Sequence, residues 1–131
     1  MTTTLVTVRY PLTADSYRTI ERGLDAHDEG DSLIVLHISL LQNGDRISRS
    51  DLQAAVEAEF GEIPAHYVVR RGYVLEEAIV DEAARQNADH VLVGKTKRGR
   101  LRRRVAQLLG LYPDLEAELA ESLGTRLEIV A

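Results

Sequence analysis

Apolar positions along the chain switch between two patterns. Thr4 to Val8 is a short β-rich run, read as a first strand, and Pro11 breaks it because proline has no N–H for a ladder. Tyr17, Ile20 and Leu24 then recur at helical spacing and predict a helix over about 14–27, capped by Thr13 or Asp15. Within Ser32 to Leu41, the run Leu33-Ile34-Val35-Leu36-His37-Ile38 does not alternate, which suits a parallel strand covered on both faces. Asn43-Gly44 marks a turn in the loop that follows. Ser50-Asp51-Leu52-Gln53 reads as a capping box, with Leu52, Val56 and Phe60 continuing the helix and Gly61 ending it.

The alternation continues. His66 to Arg70 reads as a third strand, and Leu75, Ile79, Val80 and Ala83 mark a helix over about 73–87. Asp89 to Val93 is the fourth strand. Leu101, Val105, Leu108 and Leu109 share a helical face, Pro113 interrupts it, and Leu115 and Leu119 resume it. Leu127 to Val130 closes the chain as a fifth strand. Strand starts near 4, 32, 66, 90 and 126 are spaced by about the ~30 residues of a βαβ unit. The fold class is therefore α/β: a five-stranded parallel sheet with helices on both faces, in one domain spanning 1–131.

Composition narrows the chemistry. There is no cysteine, which removes disulfides, thiolate catalysis and Cys-ligated zinc. No stretch approaches the ~18 apolar residues of a membrane span, and Met1-Thr2-Thr3-Thr4 lacks the features of a signal peptide, so a cytoplasmic location is expected. The net charge of −5 conceals a split: seven of the sixteen Lys and Arg lie between Lys95 and Arg104, with no acid among them. The rest of the chain carries nine basic and twenty-one acidic residues, a net of −12. Such a surface repels nucleic acid, which needs a wider basic face, and leaves one loop to attract small anions.

That loop follows the run Val91-Leu92-Val93, which ends at Gly94, and it leads into a predicted helix. Backbone N–H groups at a helix start hold phosphate well. Cations at a helix start oppose its dipole, and Arg98 with Arg102 and Arg100 with Arg104 are like-charge pairs four apart. A bound phosphate or an acidic partner offsets both penalties. Pairing with acidic helices of the same molecule is the plainer reading.

Other candidates carry less. His27, His37, His66 and His90 show no metal-ligand spacing, and His37 and His90 read as core or strand-end residues. Glu76, Glu77, Asp81 and Glu82 fall between core positions of their helix and are expected to face solvent. No set of residues meets the requirements of a catalytic site, and no metal site is expected.

Gly72 to Gly94 (GYVLEEAIVDEAARQNADHVLVG), with Ala88-Asp89 before the strand and Gly94 after it, resembles the universal stress protein family, as does Val35-Leu36-His37. The resemblance covers nearly the whole chain. It implies an adenine nucleotide alpha hydrolase-like, Rossmann-like sandwich with sheet order 3-2-1-4-5, and a crevice where the order reverses between strands one and four. Family members that bind ATP use Gly, two residues, Gly, nine residues, then Gly with Ser or Thr. Here Gly94 matches the first glycine, Lys97 occupies the second position, Gly99 is off register, and the later glycine is Gly110 followed by Leu111. Arg9 stands where the family has an acid after strand one.

The resemblance implies a stress-response or regulatory binding protein that takes ATP or another nucleotide or phosphate ligand. Arg9, Val35, Gly94, Lys95, Lys97, Arg98 and Gly99 would surround the ligand, with Lys97 and Arg98 on phosphate and Val35 lining an adenine pocket. One alternative is a dimeric interaction module that binds no nucleotide and docks acidic partners through Arg100 to Arg104. The other is a slow nucleoside triphosphate hydrolase, for which Asp15 is the only magnesium-binding candidate. The resemblance also implies a homodimer through the edge strand Arg126 to Val130. Light scattering at micromolar concentration is expected to give about twice the 14.6 kDa chain mass, and a monomer mass would count against that pairing.

Overall fold

A strand that is apolar at every position has to be covered on both sides, and the structure shows how. The computed structural model describes residues 2–44, 46–94 and 126–130, the last segment as backbone alone. Strands β1 (Thr3–Val8), β2 (Ser32–Leu40), β3 (Ala65–Gly72) and β4 (His90–Gly94) run parallel in the order β3-β2-β1-β4. The backbone segment β5 (Arg126–Val130) pairs in parallel with β4 on the far side. Helices α1 (Ala14–Asp25), α2 (Arg49–Phe60) and α3 (Leu75–Arg85) connect the first four strands. The expected helical stretch over 101–119 lies outside the described residues.

The two faces have separate cores. On one, Val6, Val8, Leu33, Val35, Tyr67 and Leu92 pack with Ile20 of α1 and with Leu52 and Val56 of α2. On the other, Leu5, Ile34, Leu36, Ile38, Val91 and Val93 pack with Ile79, Val80 and Ala83 of α3. Right-handed crossovers account for this division. The steps from β1 to β2 and from β2 to β3 go the same way, so α1 and α2 share a face. The step from β3 back to β4 reverses direction and puts α3 on the other.

Local chemistry sets the helix ends. Thr13 caps α1, its hydroxyl accepting from the Ser16 N–H. The capping box of α2 lies two residues earlier than the sequence pattern indicates. Ser48 is the cap and Asp51 closes the box on the Ser48 N–H at 3.0 Å, while Gln53 bonds Glu57 instead. The short Asp side chain suffices for this reach-back, and the Ser48 N–H holds its carboxyl below the usual range. After α3, Asn87 takes the left-handed conformation at φ 52°, which turns the chain into β4.

The amino end of β1 is clasped by its neighbours. The Thr2 N–H donates to Asp31 at 2.9 Å, and the Thr3 N–H donates to Asp89 at 2.8 Å. The Ala88-Asp89 pair is thus explained locally: Ala88 is fully buried and Asp89 ties β4 to β1.

Within α1, Gly23 faces the sheet. A Cβ there would lie 2.7 Å from Val6 Cγ2 and 3.2 Å from Leu33 Cδ1. Glycine in a helix costs roughly 1 kcal/mol against alanine, and here it allows the helix to settle closer to the sheet.

One acidic residue departs from its expected position. Glu82 is 2% exposed rather than facing solvent. It accepts from Arg70 Nε of β3 at 2.7 Å and from Gln86 Nε2 at 2.8 Å. Helical spacing places Glu82 beside Ile79 and Ala83, and Arg70 on the adjacent strand makes burial tolerable. Burial alone raises its carboxyl, but the Arg70 and Gln86 hydrogen bonds and the positive charge of Arg70 outweigh it, leaving the pKa lowered. A carboxyl lowered in the folded state stabilises at neutral pH and loses that contribution as pH falls below the unfolded value near ~4.3. Urea unfolding is expected to show Glu82→Ala less stable by about 1–3 kcal/mol at pH 7, since the partner Arg70 can still reach water. The gap between wild type and Glu82→Gln should narrow below about pH 4. A gap that does not change with pH would contradict the assigned pairing.

Candidate functional site

The sheet order reverses between β1 and β4, and in open α/β sheets the carboxyl ends of the strands at such a reversal are where a ligand crevice forms. The chain leaves β1 through exposed Arg9, turns at Tyr10-Pro11 and enters α1 at Thr13. Buried Ser16 reaches back to this turn. Its hydroxyl accepts from the Arg9 N–H at 3.2 Å and lies 3.2 Å from the Thr13 hydroxyl. The first turn of α1 is therefore pinned to the tip of β1, with the positive end of its dipole at the crevice.

Gly94 stands at the tip of β4 against the same turn. A Cβ there would lie 3.1 Å from Thr19 Oγ1 and 3.6 Å from both the Asp15 Cβ and its carbonyl oxygen. Thr19 is fully buried, and its hydroxyl donates to the Asp15 carbonyl at 2.7 Å, so it has little room to give. The need for glycine at 94 thus has a direct cause in the approach of α1, whatever ligand is present. Asp15 pairs with Arg18. Among the described residues no group of three or more His, Cys, Asp or Glu is arranged to hold a metal ion.

A profile described as the Universal stress protein family matches residues 4–110. The chain belongs to the universal stress protein family. Two solved structures share the fold. One is a universal stress protein family protein from Arabidopsis thaliana with AMP bound, at 16% identity and TM-score 0.55, covering 99% of this chain and 90% of that one. The other is a universal stress protein in complex with cAMP, at 19% identity and TM-score 0.56, covering 99% of this chain and 97% of that one. No curated protein sequence matches the chain.

Set within the universal stress fold, the expected site residues separate. Arg9 and Gly94 both stand at the β1–β4 tips. Val35 is placed differently: it is fully buried in the α1–α2 core, with Val6 and Tyr67 beside it in the sheet. It presents no surface to a ligand in this structure, because β2 is interior at that point. Lys95, Lys97, Arg98 and Gly99 lie outside the described residues, as do Arg100 to Arg104. Ser16 and Thr19 were not singled out in the sequence. Their signal is the hydroxyl pattern Thr13, Ser16, Thr19, spaced by three through the first turns of a helix.

Depressions elsewhere do not compete for this role. One of about 640 Å³ follows the β3 side of the sheet from Thr3, Ser32 and Ala65 to Gln53 and Gln86. Another of about 200 Å³ lies between the end of β3 and α3, beside the Arg70–Glu82 pair. Neither includes the β1 and β4 tips. Gly94→Val is expected to lower stability by about 1–3 kcal/mol through overpacking against Thr19, read as a lower urea midpoint without ligand. An unchanged midpoint would show that the contact with α1 does not require glycine.

Proposed function

We propose that this universal stress protein binds an adenine nucleotide at the carboxyl ends of β1 and β4 and acts through binding in stress response or regulation. The observation that carries this reading is the reversal of strand order at β1 and β4, with the α1 N-terminus and Gly94 at the opening. Two proteins of the same fold crystallised with AMP and cAMP support the ligand class. In this reading the sheet is the full five-stranded one, in order 3-2-1-4-5, and the basic run after Gly94 closes the phosphate side. Lys97 and Arg98 contact phosphate, Gly94 and Gly99 admit its backbone approach, and Lys95 and Arg9 supply charge at the rim. The protein works in the cytoplasm as a homodimer joined through Arg126 to Val130.

Lys97 at a position the family's ATP binders fill with glycine favours a ligand held by side-chain charge over one held by a glycine cradle. The affinity should then depend steeply on salt. Isothermal titration with AMP, ATP and cyclic AMP at low salt is expected to give saturable heat with at least one of them. Lys97→Ala should weaken that binding by about tenfold, the loss of one charge-assisted contact. No heat with any of the three would overturn the proposal in favour of an interaction module. Phosphate release that disappears in Lys97→Ala and Asp15→Ala would instead assign a hydrolase.

A further inference from the structure

The sheet has an open edge at β3. This strand ends the strand order and pairs with β2 at all eight of its positions, and among the described residues no strand lies on its outer side. A free edge presents unpaired N–H and C=O groups, and folds commonly shorten, cover or charge it. The depression of about 640 Å³ follows this edge, and its walls belong to both faces of the sheet. Tyr67 turns toward the α2 face, where Arg49 and Gln53 of α2 join it. Val68 turns toward the α3 face, where Gln86 at the end of α3 joins it. A body that meets both walls has to lie in the plane of the sheet, beyond its edge. That is the place of a further strand.

Alternation along β3 sorts its charges. Tyr67, Val69 and Arg71 take the α2 face, and Val68 and Arg70 take the α3 face. Arg70 is already answered by Glu82. Arg49 and Arg71 are exposed, and among the described residues neither has a carboxylate partner. Of the acids on α2, Asp51 closes the helix cap, Glu57 accepts from Gln53 Nε2 at 2.9 Å, and Glu59 stands at the far end of the helix from Arg49. No acid is among the described residues that line the depression. The α2 side of the edge is thus cationic in a chain with a net charge of −5. A second copy of the same edge is a poor occupant, because it would bring Arg49 and Arg71 to a seam that already holds them, and like charges across a strand pair repel.

We infer that the β3 edge takes an extended peptide as an added strand, acidic at alternate positions and apolar between them. Main-chain hydrogen bonds to the outer edge of β3 supply the affinity, and alternate side chains supply the choice of partner. Side chains of an added strand point to the two faces in turn. One set meets Arg49 and Arg71, which suits carboxylates, and the other meets Val68, which suits apolar groups. The cations that keep two copies apart therefore select an acidic strand. The inference is independent of the nucleotide reading, since β2 separates this edge from the β1 and β4 tips.

Fluorescence anisotropy at low salt tests this with three labelled peptides, each as long as β3: one of alternating Val and Glu, one of alternating Val and Lys, and the Val-Glu peptide with its two central residues replaced by proline. Wild type should bind the Val-Glu peptide saturably and prefer it to the Val-Lys peptide. Proline should abolish binding, because it removes ladder donors. The double variant Arg49→Glu with Arg71→Glu should bind the Val-Glu peptide about tenfold more weakly, the loss of two cross-strand charge pairs, and should now prefer the Val-Lys peptide. No binding of the Val-Glu peptide to wild type overturns the inference. Binding that tolerates proline, or that is undiminished in the double variant, also overturns it and assigns the peptide to another basic surface such as Lys95 to Arg104. Light scattering covers the remaining occupant: a particle mass that falls in the double variant gives the edge to a second copy and overturns the inference. Thermal melts show whether the double variant folds. Should it not, wild type decides by its response to proline: abolished binding supports the inference, and tolerated proline contradicts it.

Discussion

The close approach of α1 to the sheet is the constraint on which the rest depends. Two glycines permit it from opposite sides. Gly23 on the helix leaves room for Val6 and Leu33, and Gly94 on the strand leaves room for Thr19 and Asp15. Between them Ile20 and Thr19 are fully buried. A helix held that near cannot drift, so its first turn is fixed against the tips of β1 and β4. The Arg9–Ser16 and Thr13–Ser16 hydrogen bonds then fix the loop that leaves β1. The crevice follows from packing: topology decides where it opens, and the two glycines decide how tightly its floor is built.

The layout was legible in the sequence wherever a long-range rule left a local signature. The unbroken run Leu33 to Ile38 announced a strand buried on both faces, and the four connected strands fall in the order the resemblance implies. Capping was legible in kind but not in register, because Ser48 and Ser50 are both acceptable caps and Asp51 serves the earlier one. Strand β3 extends to Gly72, beyond its apolar core, because pairing with β2 continues through Arg70 and Arg71. Glu82 was misplaced for a different reason. Helical spacing puts a carboxylate on the inner face, and only the cross-element partner Arg70 shows that it can stay there.

The site was less legible than the fold, since sequence pattern reports which face a residue takes and not what stands opposite it. Gly94 was found from its place after an apolar strand, yet the neighbour that demands it comes from residues 15 to 19. Val35 was assigned to a pocket and lies in the core. His37, read as a core histidine, is indeed buried, but only one of its two nitrogens is satisfied. Among the described residues the Tyr67 hydroxyl is likewise buried without a partner, whereas Glu82 is answered by Arg70 and Gln86, and Thr19 by the carbonyl one turn back.

The position of β1 between β2 and β4 also bears on how the chain reaches this state. β1 is the first strand made, but one of its edges waits for Asp89 and β4, 86 residues further on. Closing so long a loop is entropically costly, and contacts of such separation slow folding. During synthesis β1 and β2 can pair early, while the edge of β1 that will receive β4 stays open until the α3 segment has emerged. For that interval an apolar strand exposes a row of unpaired amides, the state in which nascent chains most need shielding from one another.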